Sequence, residues 1–178
     1  VTVAERQIDW NEMKKNLPVN TPKPHDSLLQ PGSLIFNKDI ESVVNMDNYF
    51  QWWKWQIGAS WKSPTGPGSN IEGKGNYPVV HVAYEDALAY CKWSNRKLPT
   101  EAQWESAAQG NYDKAVFTWG SEVNLLNTNA NTWQGDFPTK NESIDGFEMI
   151  APVKSFSPNS IGVYDMIGNV WEITDDLF

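Results

Sequence analysis

The sequence predicts one loop-rich domain, assembled from short helices and short strands and held together by aromatic packing. Three observations point there. The chain has 178 residues, enough for one domain with a core of its own. It carries 10 Trp together with 12 Gly and 11 Pro, a mixture of indoles and chain-breakers that suits packed loops better than long regular elements. The clearest helical periodicity lies between Tyr84 and Ala108, and beyond it Asn, Asp, Gly and Pro dominate. Long irregular stretches in a compact domain are where function is usually placed.

The elements follow in order. Trp10, Met13 and Leu17 fall at helical spacing, so Asp9 to Leu17 reads as a short helix closed by Pro18. Pro22, Pro24 and Pro31 make Thr21 to Gly32 an extended or turning connection. Ser33-Leu34-Ile35-Phe36 reads as a short strand. Phe50 to Trp61 carries Trp52, Trp53, Trp55 and Trp61, and Pro64 to Ser69 is a loop by composition. Pro78-Val79-Val80-His81-Val82 reads as a second short strand. Tyr84 to Trp93 is the strongest helix, with Tyr84, Leu88 and Cys91 on one face that is expected to be buried. Thr100 and Gln103 form a capping box for a further helix that runs through Ala108 and stops at Gly110.

Bulk composition removes several function classes. The formal net charge is -8, which opposes nucleic acid as a partner because phosphate binding needs a basic face. It is compatible with cations. No apolar run reaches the roughly 20 residues of a membrane helix. Cys91 is the sole cysteine, so the chain can form neither an internal disulfide nor a thiolate cluster of its own.

Two groups of residues could bind a hard cation. The first is Asn131-Thr132-Trp133-Gln134-Gly135 with Ile144-Asp145-Gly146-Phe147; the second is Asp165, Gly168, Val170 and Glu172. Carboxylates, an amide and loop carbonyls are the oxygen ligands that calcium accepts in irregular geometry. The alternative is a set of turns whose Asn and Asp side chains bond their own backbone. His81 reads as a hydrogen-bonded core residue, and His25 has no catalytic neighbour at a useful spacing. Cys91 reads as a structural thiol. Trp52, Trp53 and Trp55 could stack sugars or fill a core. Asn141-Glu142-Ser143 matches a glycosylation sequon, a short match that arises easily by chance.

Taken together, the motifs resemble the formylglycine-generating enzyme (sulfatase-modifying factor) family. Pro78 to Val82, Tyr84-Glu85-Asp86-Ala87 and Tyr90-Cys91-Lys92-Trp93 resemble one continuous family block. Leu98-Pro99-Thr100-Glu101-Ala102-Gln103-Trp104-Glu105 is its most specific part. Trp119-Gly120, Asn131 to Phe137, Asp145-Gly146-Phe147, Ala151-Pro152-Val153 and Gly168-Asn169-Val170-Trp171-Glu172 follow in family order. Val1 to Arg6, Pro31 to Leu34, Gln51 to Trp53 and Gly66 to Ser69 resemble the sulfatase-activating branch, which points to a bacterial source.

The resemblance implies an α+β, C-type-lectin-like fold with little regular structure. It implies an oxidase that converts one sulfatase cysteine, in a Cys-x-Pro-x-Arg type motif, to Cα-formylglycine with oxygen and copper, and structural calcium ions. Copper(I) in such a centre is held by two thiolates, ligands of matching softness. Carried over, one calcium set is the side chains of Asn131 and Asp145 with the carbonyls of Thr132 and Phe147. The other is Asp165, Gly168, Val170 and Glu172, with Asp165 where some relatives have Asn. Trp171 maps near the substrate cleft. The family's copper-binding cysteines follow the Asn-Val-Trp-Glu segment, so they are expected beyond residue 178, and residues 1–178 are expected to be a single partial domain incomplete at both ends. Such a chain is expected to expose apolar edges. Ile173 replaces a common Trp. Ala83 replaces a usual Ser, a lost helix cap worth about 1 kcal/mol.

Three function classes follow. The first is the oxidoreductase acting on a sulfatase polypeptide. The second is a non-catalytic homologue that serves as a sulfatase-binding or envelope scaffold protein. The third is a calcium-dependent sugar-binding module, expected to show no binding. Periplasmic, secreted and cytoplasmic locations all remain open.

Overall fold

The computed structural model describes residues 1–112 and 114–176. Short helices, one small sheet and long loops make up the chain. It divides into two compact units, one of Val1–Glu72 with Val79–Ala87 and the other of Gly73–Pro78 with Leu88–Phe178.

In the first unit, Asp9 caps helix α1 (Trp10–Met13) by accepting the N–H groups of Asn11 and Glu12, which leaves fewer unpaired donors at the helix start. The helix tightens into a 3-10 turn at Lys14–Asn16 before Pro18. Strands β1 (Gly32–Phe36) and β2 (Trp53–Ile57) pair antiparallel, with Gly32 opposite Ile57 and Phe36 opposite Trp53. Phe36 and Trp53 meet edge-on at 5.7 Å, a cross-strand aromatic contact of the kind that fixes register. Gly32 has no alternative, because a Cβ there would lie 2.5 Å from the Gln56 carbonyl oxygen. Strand β2 lies where the sequence showed only a run of indoles. The signal was the alternation of Trp53, Trp55 and Ile57 along that run. Trp52, which precedes it, is buried, together with Leu29 and Ala59.

The strand expected at Pro78 to Val82 does not form. His81 adopts a φ of 58°, which breaks an extended run, and Pro78 has no N–H to give a ladder. His81 is nevertheless half-buried and hydrogen-bonded, with its Nε2 2.8 Å from the Pro64 carbonyl.

Helix α2 (Tyr84–Trp93) forms as expected, but none of its residues is buried. Its apolar side chains lie on more than one face, so no single stripe turns inward. Cys91 is half-buried, Tyr84 and Leu88 are exposed, and Trp93 is 80% exposed. The cap lost at Ala83 is replaced from within the helix. Asp86 Oδ2 accepts the Ala83 N–H at 2.9 Å, and both its oxygens accept the Val3 N–H. Arg6 adds an ion pair with Glu85 at 3.2 Å.

In the second unit, helix α3 (Glu101–Gln109) opens on the Thr100–Gln103 capping box. Its last turn is closed by Asn159, whose Nδ2 donates to the carbonyls of Ala107 at 2.6 Å and Ala108 at 3.2 Å. Helix α4 (Leu126–Asn129) leads into Ala130, which is buried like Ala151. From there the chain is irregular to Asp176, in agreement with the loop composition.

One titration tests the N-terminal turn. The Glu5 carboxyl is held down from 4.5 to about 2, first by the Thr2 N–H, then by the Thr2 hydroxyl and by Lys62. A folded value below the unfolded one means that these bonds stabilise the fold fully above about pH 4.5, and that this contribution is lost as pH falls to about 2. Replacing Thr2 by Val removes the hydroxyl and keeps the N–H. An NMR titration should then show the Glu5 midpoint rising part of the way toward 4.5; an ordinary midpoint in the unsubstituted chain would contradict the assignment.

Candidate functional site

Three loop segments of the second unit, 130–134, 145–147 and 165–172, meet through hydrogen bonds. Asn131 is buried, and its Nδ2 donates to the Met149 carbonyl at 2.8 Å and to Asn169 Oδ1 at 3.1 Å. Its backbone forms a parallel bridge with Gly168, with the Asn169 N–H donating to the Asn131 carbonyl at 2.8 Å. Gly168 has a φ of 75°, and a Cβ on it would sit 2.1 Å from that carbonyl oxygen. The sequence therefore needs Gly here for conformation and for space.

Asp145 organises the first set. Its Oδ1 accepts the Phe147 N–H at 2.9 Å, the local turn bond of the alternative reading. Its Oδ2 accepts the Thr132 N–H at 2.9 Å and Gln134 Nε2 at 2.7 Å. The structure thus joins Thr132, Asp145 and Phe147 in one bonded network, whereas the side chain of Asn131 bonds to Met149 and Asn169. Gln134 was read only as part of the stretch, yet it is buried and clamps that network. Its Nε2 also donates to the Thr132 carbonyl, and its Oε1 accepts the Asp145 N–H at 3.3 Å. The visible signal was an amide two residues past Thr132.

The second set is more spread in its bonding. Asp165 has a φ of 57°, and its Oδ2 accepts the Lys154 N–H at 2.7 Å. Glu172 Oε2 accepts the indole N–H of Trp104 at 2.8 Å. Asp165 and Glu172 thus accept from different partners, and Gly168 and Val170 contribute backbone between them. Both sets consist of oxygen donors without sulfur or nitrogen, a donor chemistry that fits a hard cation such as calcium. Among the described residues, no three His, Cys, Asp or Glu side chains cluster in a way that could hold a metal ion. The candidate sets depend instead on an amide and backbone carbonyls beside their carboxylates.

The remaining sequence candidates separate. Trp171 is fully exposed, with its indole open to a ligand. Asn141 Nδ2, the atom a glycan would need, donates to the Glu148 carbonyl at 2.9 Å. His25 Nδ1 lies 2.8 Å from Ser27 Oγ, a local turn contact. Trp53 is partly exposed and Trp55 half-buried, so the indole cluster is only partly core.

Residues 11–178 match the family model described as the sulfatase-modifying factor enzyme 1-like domain. The chain is 41% identical to a formylglycine-generating enzyme of Mycobacterium tuberculosis over 182 aligned residues, which covers 100% of the chain and 56% of that protein. It is 46% identical to the mouse formylglycine-generating enzyme, covering 70% of the chain and 34% of the relative. It is also 47% identical to the bovine inactive C-alpha-formylglycine-generating enzyme 2, covering 69% of the chain and 40% of the relative. The chain thus spans between a third and just over half of the length of these relatives.

The close approach at Gly168 gives a stability test. Gly168→Ala should destabilise the fold by about 3 kcal/mol, through a strained φ and a forced separation from Asn131. Denaturant unfolding measures this, and a change within about 0.5 kcal/mol, ordinary for a surface position, would refute the contact.

Proposed function

The chain belongs to the sulfatase-modifying factor enzyme 1-like family, and we propose that it serves an oxidoreductase that converts a sulfatase active-site cysteine to Cα-formylglycine. The observation that carries this reading is 41% identity to a formylglycine-generating enzyme across the whole chain. The partner on this reading is a sulfatase polypeptide with a Cys-x-Pro-x-Arg type motif, and the exposed indole of Trp171 is the contact it would meet. The fold on this reading is C-type-lectin-like, supported by short elements and long loops.

The copper centre of the family needs two thiolates, and these 178 residues hold one cysteine. Cys91 sits half-buried in α2. The residues here do not form that centre. The proposal places the catalytic cysteines beyond residue 178, consistent with relatives that are longer than this chain.

Calcium is the second part of the proposal. Asn131, Thr132, Asp145 and Phe147 would hold one ion; Asp165, Gly168, Val170 and Glu172 would hold another. Bound calcium would supply positive charge to carboxylates in a chain of net charge -8 and would tie the loops together. The protein residues do the remaining work. Asp145 joins its own loop to residue 132, and Trp104 holds Glu172 in place by its indole N–H.

A second reading is favoured by one observation. The inactive bovine relative is as similar as the enzymes are, so a non-catalytic, sulfatase-binding scaffold protein is the alternative. The full-length polypeptide, incubated with copper, oxygen and a sulfatase peptide carrying the Cys-x-Pro-x-Arg motif, separates the two. Conversion of thiol to aldehyde, trapped with an aminooxy probe and read by mass spectrometry, is expected. Peptide binding without aldehyde would establish the scaffold reading instead.

Calcium removal has its own expected outcome. Chelation should lower the thermal midpoint by roughly 5–10 °C when the ion was present at about 100-fold over its dissociation constant. Calcium should restore the midpoint and magnesium should not, since magnesium demands a stricter octahedron. An unchanged midpoint would remove calcium from the account.

A further inference from the structure

We infer that Asn169 couples the two oxygen sets, so that a calcium ion bound at one raises the affinity of the other. This rests on the calcium reading above and deepens it. Asn169 lies on the loop that carries Gly168, Val170 and Glu172, and its side chain reaches to the other set. Its Oδ1 accepts from Asn131 Nδ2 at 3.1 Å and from the Ala151 N–H at 2.9 Å, and its Nδ2 donates to the Ala151 carbonyl at 3.2 Å. The same residue's N–H holds the Asn131 carbonyl at 2.8 Å.

The consequence for Asn131 is specific. One amide N–H group donates to Met149 and the other to Asn169. With both hydrogens committed, the Asn131 amide cannot turn over, and its oxygen is the atom left to serve a cation. Asn169 is therefore a positioning residue for a ligand of the first set while it belongs to the loop of the second. The backbone reinforces this, because no space separates Gly168 from the Asn131 carbonyl. Neither loop can shift without releasing the Asn131 amide. Order imposed by an ion at one set is order that the other no longer has to acquire, which is a coupling free energy between sites.

Calorimetric titration of the full chain with calcium alone tests this, using Asp145→Asn to disable the first set and Glu172→Gln to disable the second. Each single variant should bind at its remaining set about fivefold or more weaker than the unsubstituted chain does, and by the same factor in both, because linkage is reciprocal. Asn169→Ser, which keeps the backbone contact, should cut that mutual effect to about twofold or less, and an unchanged factor would overturn the role of the Asn169 side chain. Should Asn169→Ser fail to fold, the two ligand variants still decide: remaining-site affinities equal to those of the unsubstituted chain overturn the inference. No calcium uptake at all by the unsubstituted chain overturns the calcium reading and this inference with it. Uptake with independent sites overturns the inference alone.

Discussion

The second unit depends on how closely residue 168 lies against residue 131. The chain passes there without a side chain on one partner, and a single Cβ would stand 2.1 Å from a carbonyl oxygen. An approach of that kind admits one residue type and fixes its neighbours. Residue 169 is forced into a left-handed conformation, with φ at 63°, which Asn tolerates better than most side chains. The amide that follows from that choice then closes on Ala151 and Asn131. Buried Ala130 and Ala151 flank the contact, and small side chains are what allow three backbone segments to converge.

The legible parts of the fold were those governed by local rules. Thr100 with Gln103 marked the start of α3, Asp9 the start of α1, and Gly110 the end of α3. Each depends on bonds within a few residues, so sequence spacing carries them. The β1 strand was legible from its composition, although its bonds run to the distant β2, whereas residues 78–82 have strand composition but turn at His81. The burial of α2 was misjudged because its apolar residues lie on more than one face, and only the folded chain shows that none is covered. In the candidate site, the turn bond of Asp145 to Phe147 was legible. Gln134 and Trp104 were not, since their partners lie 11 and 68 residues away and no short pattern encodes such distances.

Several acidic side chains in this molecule serve as acceptors for the backbone and for polar N–H groups. Asp9 serves α1, Asp86 serves Ala83 and Val3, Asp145 serves Thr132 and Phe147, and Asp165 serves Lys154. Charge-assisted bonds of this sort are stronger than neutral ones, so a loop-rich chain gains rigidity from them where helices and sheets are short. Asp145, fixed by three N–H groups, presents its remaining lone pairs in a set direction, while Asp165 and Glu172 are each held by one.

Asn159 carries a further consequence, one of chemical ageing. Its amide nitrogen closes the end of α3 by donating to two carbonyls, and its oxygen accepts the N–H groups of Ile161 and Val163. Spontaneous deamidation of that single side chain would replace the donor by a second, negatively charged oxygen facing those same carbonyls. The loop side of the junction would keep its acceptor while the helix side lost its cap and met repulsion. The hold of the loop on this helix end thus rests on one amide nitrogen, and its loss would uncap α3 without breaking the chain.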